Sequence, residues 1–507
     1  MKRLLLLLLP LLPIVSEAAP KTVYVNDFGA TADGITLDTQ AIQKAIDQVS
    51  SKGGGTVVFR MGNYLTGQIH LKDNVELRLE GGAVILGSTD PADYSQLETK
   101  DEATGFVDPN RMGLITGYRV KNVKISGFGL IDGQGRELAL RVDSLCLAGK
   151  IPDQGYIWLR ERIKNDPLSQ RSVYRGRPSE LYRPKLLFFS ECEGITIEDL
   201  HMRNSAGWGL SFNLCDGMVI RNIDFLNRAY WNNDGIDLTD CRNVVITGCS
   251  IDAADDALCL KSDLPGKCCE NILLEDCDVR SSASAIKFGT ASNGGFKRIT
   301  IKNIRIRDTF RSAIAIESVD GGDIEDILVD GIVARNTGNA IFVRLGHRSG
   351  EKPGTVRDIV LRNISCTTLQ ERPDGAYDVR GPIDNTFHNA YASSITGIPG
   401  HKVQNVSLEN IELVFPGGAS KAMGYIPLTH PELVPEQMNA YPEYSMFGET
   451  PSWAFYVRHV DGISFKNITL TLLDDDFRPA FVFDDVTGIG LQDIRYPFWK
   501  EETPVIL

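Results

Sequence analysis

The sequence predicts an all-β chain wound as a right-handed parallel β-helix, with an amphipathic helix capping its N-terminal end. Three observations carry this expectation. A six-residue pattern (apolar, polar, apolar, polar, small or polar, apolar) recurs from residue 123 to the C-terminus. Between 195 and 359 its copies are spaced by about 23 to 32 residues, the length of one solenoid coil. A second apolar ladder keeps step with the first.

At the start of the chain, Lys2 and Arg3 precede an apolar run from Leu4 to Val15, and Ser16, Ala18 and Ala19 supply small residues for cleavage. These parts make a signal peptide over residues 1–18, so the mature protein is expected to be exported, to the periplasm or outside the cell. The run falls short of the ~20 residues that span a bilayer, and no membrane association is expected. A helix follows over 38–47, with Asp38 at its N-cap and Ile42 and Ile46 on one face. Its place is the open end of the solenoid, where an uncovered edge would invite pairing with another chain. Gly53, Gly54 and Gly55 lead into the first strand, 56–59.

The repeat reads Ile195-Thr-Ile-Glu-Asp-Leu200, Val244-Val-Ile-Thr-Gly-Cys249, Ile299-Thr-Ile-Lys-Asn-Ile304 and Ile463-Ser-Phe-Lys-Asn-Ile468, with further copies between. Period-two alternation marks strands with one buried face, and the closing Asn, Asp or Gly suits a tight turn. Stacked coil on coil, such strands pair in parallel and their apolar positions form interior ladders. A sandwich or propeller would show hairpin dipeptides in step with the period, and none recur. Residues 19–507 are expected to form a single domain, with inserts at about 136–184, 367–402 and 412–459 walling the binding face.

Apolar residues make up 42 % of the 507 and charged residues 23 %, enough for a large core. A net charge of -13 argues against nucleic acid or an anionic membrane as partner, since both are repelled at long range. An acidic ligand then needs a local cationic patch, and a monomer is expected. Cys249 and Cys277 hold equivalent places in successive repeats, which favours stacked buried thiols over a bridge. No spacing resembles a zinc site, so no metal is expected.

The second ladder comprises Gly235-Ile-Asp-Leu238, Ala257-Leu-Cys-Leu260, Ala285-Ile-Lys-Phe288, Ala313-Ile-Ala-Ile316 and Ala340-Ile-Phe-Val343. Asp234, Asp237, Asp255, Asp256 and Lys287 stand just before or within its members, and Lys261, Glu317 and Arg344 just after. Equivalent places on consecutive coils converge, because coils stack ~4.8 Å apart. Asp234 precedes the Asp255-Asp256 pair by about one coil, which puts the carboxyls roughly 5 to 8 Å apart on the outer wall of the spiral. Glycoside hydrolysis needs one carboxyl protonated to release the leaving oxygen and one ionised to activate water or attack. Crowded carboxylates raise each other's proton affinity, which supplies the protonated partner.

Several segments resemble glycoside hydrolase family 28, the polygalacturonase family, over nearly the whole mature length. They are Val25-Asn-Asp-Phe-Gly-Ala30, Asp33-Gly34, Asp38-Thr39, Tyr64-Leu-Thr-Gly67, Gly129-Leu-Ile-Asp-Gly133 and, most specifically, Asn232-Asn-Asp-Gly235 followed by Asp255-Asp256. The resemblance implies a pectin-lyase-like solenoid, inversion by direct displacement and no cofactor. It implies Asp255 as general acid, with Asp234 and Asp256 positioning and deprotonating the water. Two departures stand out: Ser284 replaces the histidine of the family's Gly-His-Gly, and Ala315-Ile-Glu317 replaces Arg-Ile-Lys, which binds the galacturonate carboxylate.

Lys261, Lys287 and Arg344 are expected to restore positive charge toward an acidic plant cell-wall polysaccharide or oligosaccharide. Glu317 is expected to pair with one of them or to bind sugar hydroxyls, with Asp237, Ser284 and His347 as further contacts and Trp231 as a stacking surface. Trp208 and Tyr230 either stack on a sugar or pack in the core. The expected activity is an inverting, exo-acting galacturonidase. Three alternatives stay open: an α-glycosidase for another pectic sugar such as rhamnose or fucose, a polysaccharide lyase, and a non-catalytic carbohydrate-binding β-helix.

Overall fold

The computed structural model describes residues 21–98, 110–152, 180–369, 388–497 and 504–507. The expected signal peptide lies outside these residues, as do parts of the first two inserts.

Each copy of the repeat forms a strand that pairs in parallel with the next copy, one coil on. Ile195 faces Met218, Met218 faces Val244, Val244 faces Ile272, Ile272 faces Ile299 and Ile299 faces Ile327. All are buried, so the alternation read from the sequence is the inside–outside alternation of this sheet. A second sheet follows after a tight turn and a third carries the apolar ladder, giving three parallel sheets around one core.

The turn after the first sheet is set by its asparagines. Asn303, Asn410 and Asn467 sit at φ of 51°, 55° and 53°, the left-handed region that Asn tolerates better than most side chains. Their amides also bond from coil to coil: Asn410 Nδ2 donates to Asn363 Oδ1 at 3.0 Å, and Asn467 Nδ2 to Asn410 Oδ1 at 2.9 Å.

Helix α1, Thr39–Ser51, packs Ile42, Ala45, Ile46 and Val49 against the first coil. It runs past the predicted end, and Asp38 occupies the N-cap position without capping. Its carboxylate turns back to accept from the Thr31 and Ala32 amides at 2.8 and 3.0 Å, so it ties down the preceding loop instead. Helix α2, Gly135–Leu147, opens the first insert. The third insert follows the strand that ends at Phe415 and packs Val434 and Phe447 onto Phe342, Tyr456 and Val482 of the third sheet. All ten cysteines are free thiols, and Cys249 and Cys277 are buried at equivalent places in the core. Among the described residues, no helix is long and apolar enough to cross a membrane.

Candidate active site

Hydrogen bonding along the third sheet puts Asp234 and Asp256 in one column. The Gly235 amide donates to the Asp256 carbonyl, and the Ile236 amide to the Ala257 carbonyl, both at 2.8 Å. Ser284 comes next in the column, and its amide donates to Asp256 Oδ1 at 3.1 Å. Asn233 locks the turn between the coils: its Nδ2 donates to the Ser205 and Gly207 carbonyls at 2.9 and 2.7 Å. Its own carbonyl accepts from the Asp255 amide at 3.1 Å. Asn232, at φ 54°, makes the left-handed bend and reaches Asp255 Oδ2 at 3.4 Å. The neighbouring carboxylates therefore belong to one rigid unit.

The three carboxyls do not share one exposure. Asp255 is half-buried, whereas Asp234 and Asp256 keep only 4 % and 6 % of their surface. The expectation of an open outer wall is corrected for these two, because cations from the same ladder cover them. Lys261 Nζ lies 3.2 Å from Asp234 Oδ2, donates to Asp237 Oδ1 and sits 3.8 Å over the Trp208 ring. One ammonium thus serves two buried carboxyls. Burial, then the charge of Asp237, pushes the Asp234 carboxyl well above the usual carboxylate range. Burial raises Asp237 as well. Burial alone would strip the proton from Lys261, and Asp237 holds it on.

Asp256 behaves in the opposite way. Lys287 Nζ stands 3.0 Å from its Oδ2 and donates to the Tyr441 hydroxyl at 3.1 Å. Burial would raise Asp256, but Lys287, Arg311 and Lys261 outweigh it and hold the carboxyl below its ordinary value. Glu317 is 2 % exposed, and its Oε2 has no hydrogen-bond partner among the described residues. Burial pushes this carboxyl up to about 8, with Lys287 offsetting only part of the shift. Arg311 pairs with Glu443 at 2.8 Å.

Two predicted contacts fall elsewhere. Arg344 does not face the carboxyl column: its guanidinium, 1 % exposed, donates to the Gly397 and Glu436 carbonyls at 2.9 and 2.7 Å. Burial pulls its pKa down to about 10. Its position in the ladder was read correctly, but the third insert closes over it and takes its donors. The His347 ring bonds the Gly350 carbonyl at 3.2 Å, within its own turn. Trp231 is half-buried beside Asn232, and its carbonyl accepts from Arg183 at 2.6 Å. Tyr230 bonds Asp143 of α2, and Trp208 lies under Lys261.

Sequence reasoning missed Arg311, Tyr441 and Glu443. Arg311 stands two residues before Ala313 of the ladder, a place the flanking rule could have covered. Tyr441 and Glu443 come from the third insert, which has no period to read.

The parallel β-helix carries a column of stacked carboxyls along one of its sheets. The model for "Glycosyl hydrolases family 28" matches residues 95–427, and the chain belongs to this family; it is a glycoside hydrolase. A "Probable polygalacturonase" of Vitis vinifera is 25 % identical over 429 residues, covering 78 % of this chain and 74 % of its own. An "Exo-poly-alpha-D-galacturonosidase" of Dickeya chrysanthemi is 25 % identical over 348 residues, covering 64 % of this chain and 56 % of its own. Among solved structures, a family 28 exopolygalacturonase of Yersinia enterocolitica superposes with a TM-score of 0.64 at 19 % identity, covering 93 % of this chain and 78 % of its own. That likeness bears on the fold alone.

Proposed function

We propose that the protein is an inverting, exo-acting galacturonidase on pectic oligosaccharides, with Asp234, Asp255 and Asp256 as its catalytic residues. The observation that carries this is the shared column of Asp234 and Asp256 with the half-exposed Asp255 at its edge. Asp255, the carboxyl most open to solvent, delivers the proton to the leaving oxygen. Asp256, kept ionised by Lys287 and Arg311, takes the proton from the attacking water. Asp234, whose proton affinity burial and Asp237 raise, helps position this water. Exo action is supported by the third insert, whose Tyr441 and Glu443 stand against Lys287 and Arg311 beside the carboxyl column.

The same reading takes residues 19–507 as one catalytic domain with walls built from its inserts, a right-handed coil as parallel crossovers require, and α1 as its cap. It takes the protein as an exported monomer with a signal peptide over 1–18.

A second reading, hydrolysis of a neutral pectic sugar such as rhamnose or fucose, is favoured by two observations. Arg344 is engaged with backbone carbonyls, and Glu317, its carboxyl's proton affinity raised by burial, stands in place of the lysine of the family's Arg-Ile-Lys. The deciding experiment incubates the protein with a panel of pectic oligosaccharides and follows the released sugar and its anomer by NMR. Release of galacturonate with inverted configuration supports the first reading; release of only a neutral sugar supports the second. An unsaturated, ultraviolet-absorbing product overturns both in favour of a lyase. Asp255→Asn should abolish turnover in a folded protein, and full activity in that variant removes the catalytic assignment.

A further inference from the structure

Arg344 is a charged side chain buried on the site-bearing sheet, with no ion pair among the described residues. Among the described residues its hydrogen bonds go to backbone carbonyls and one threonine. Nη1 donates to Gly397 O at 2.9 Å and Thr396 Oγ1 at 3.3 Å, and Nη2 to Glu436 O at 2.7 Å and Gln437 O at 3.3 Å. One arm of the fork therefore grips the solenoid and the other grips the third insert. Arg458, two coils further along the same ladder, grips the insert by ion pairing instead: Nη1 donates to Val434 O at 2.8 Å, Nη2 pairs with Glu436 at 2.7 Å, and Nε meets Asp484 of the solenoid at 2.9 Å. The His347 amide adds a bond to Met438 O at 2.6 Å.

We propose that Arg344 is a positioning residue whose planar fork fastens residues 434–438 of the insert to the solenoid and so sets Tyr441 and Glu443 against the carboxyl column. Only a few residues separate the gripped backbone from Tyr441, whose hydroxyl meets the Lys287 ammonium that in turn meets Asp256. Tyr441 is 50 % exposed above a pair of nearly inaccessible side chains, so a sugar approaching Asp256 touches its ring first. A flat guanidinium reaches two carbonyls on opposite sides at once, which a lysine ammonium at the end of a flexible stem does not. The inference rests on the hydrolase reading for its effect on turnover, and on geometry alone for its effect on the insert.

The test compares Arg344→Lys and Arg344→Met with Tyr441→Ala, which changes the insert and leaves the fork intact. Limited chymotrypsin digestion reads the insert, circular dichroism reads the solenoid, and kcat and KM are measured on a tetramer of α-1,4-linked galacturonate. Both Arg344 variants should keep the native spectrum while cleavage between 416 and 452 speeds up by about tenfold. KM should rise by about tenfold with a smaller change in kcat, since the lost contacts orient the substrate remotely from the bond. Tyr441→Ala should reproduce the KM effect without the new cleavage. An insert as protected in Arg344→Met as in the native protein overturns the proposal, and so does a solenoid that unfolds together with the insert. Should the native protein leave the tetramer intact, the hydrolase reading fails on this substrate, and the digestion still decides the role of Arg344.

Discussion

The Lys287 ammonium stands 3.0 Å from Asp256 Oδ2, with both side chains almost cut off from solvent. Asp234, its neighbour in the same column, must share the one ammonium of Lys261 with Asp237. The two carboxyls are chemically alike, and their surroundings push their proton affinities apart.

Lys287→Met should therefore destabilise the fold by about 3–5 kcal/mol at neutral pH, because it leaves a buried carboxylate without its partner. The sign follows from linkage. In the native protein Asp256 has a depressed pKa, so its stabilising effect is present above the unfolded value of 3.8 and is lost as pH falls through the folded value. In the variant the carboxyl regains a high affinity for its proton, and the penalty shrinks on acidification. Urea unfolding at pH 4 and pH 7 measures this, and an equal loss at both would show that packing, not charge, is what Lys287 supplies.

Glu317 predicts the opposite trend. Its folded pKa of about 8 lies above the ordinary 4.5, so its stabilising effect is full below pH 4.5 and is lost as pH rises toward 8. At about 1.4 kcal/mol per unit the whole effect is at most about 5 kcal/mol. Glu317→Gln keeps the shape and removes the titration. It should melt higher than the native protein at pH 8 and no higher at pH 4.5, and thermal scans at the two pH values decide the matter.

The turn asparagines give a prediction free of the site. Asn410 holds φ 55° and links Asn363 to Asn467 by its side chain. Asn410→Ala loses both bonds and keeps a β-carbon in the left-handed region, at a cost of about 1–3 kcal/mol. Asn410→Gly relieves the backbone and should cost less than Asn410→Ala. The reverse order in chemical denaturation would locate the stabilising effect in the side-chain ladder alone.

How far the sequence could be read depended on period. Ile195, Val244, Ile272 and Ile299 fall in register because a solenoid repeats one physical environment, and repetition is visible in a single chain. The convergence of Asp234 with Asp256 was legible for the same reason. Burial of those carboxyls was not, since it depends on Lys261 and Lys287 each reaching across to the carboxyls of the preceding coil. Nor was the engagement of Arg344, which is decided by an aperiodic insert that crosses the sheet. Asp38 was placed rightly at the start of α1, but which amides its carboxylate would choose is a matter of loop geometry.

The cysteine arrangement yields the last prediction. Cys249 and Cys277 lie at equivalent places on neighbouring coils, yet both remain thiols, donating to the carbonyls of Thr247 and Glu275 two residues before them. Coils stack only ~4.8 Å apart, so proximity alone does not prevent a bridge. Each thiol is held by its own strand's carbonyl and the pair by a hydrogen bond between the two sulfurs, so a bridge would form only on oxidation of both. The hydrogen bond with Cys249, and then burial, keeps the Cys277 thiol protonated, and both sulfurs lie in the core beyond the reach of oxidants. Cys268 alone is half-exposed. Titration of the native protein with an aromatic disulfide should therefore show one thiol reacting within minutes, lost in Cys268→Ser, and release of the others only on denaturation. A shortfall from the full complement of ten after denaturation without reductant would reveal a bridge and refute the unpaired arrangement.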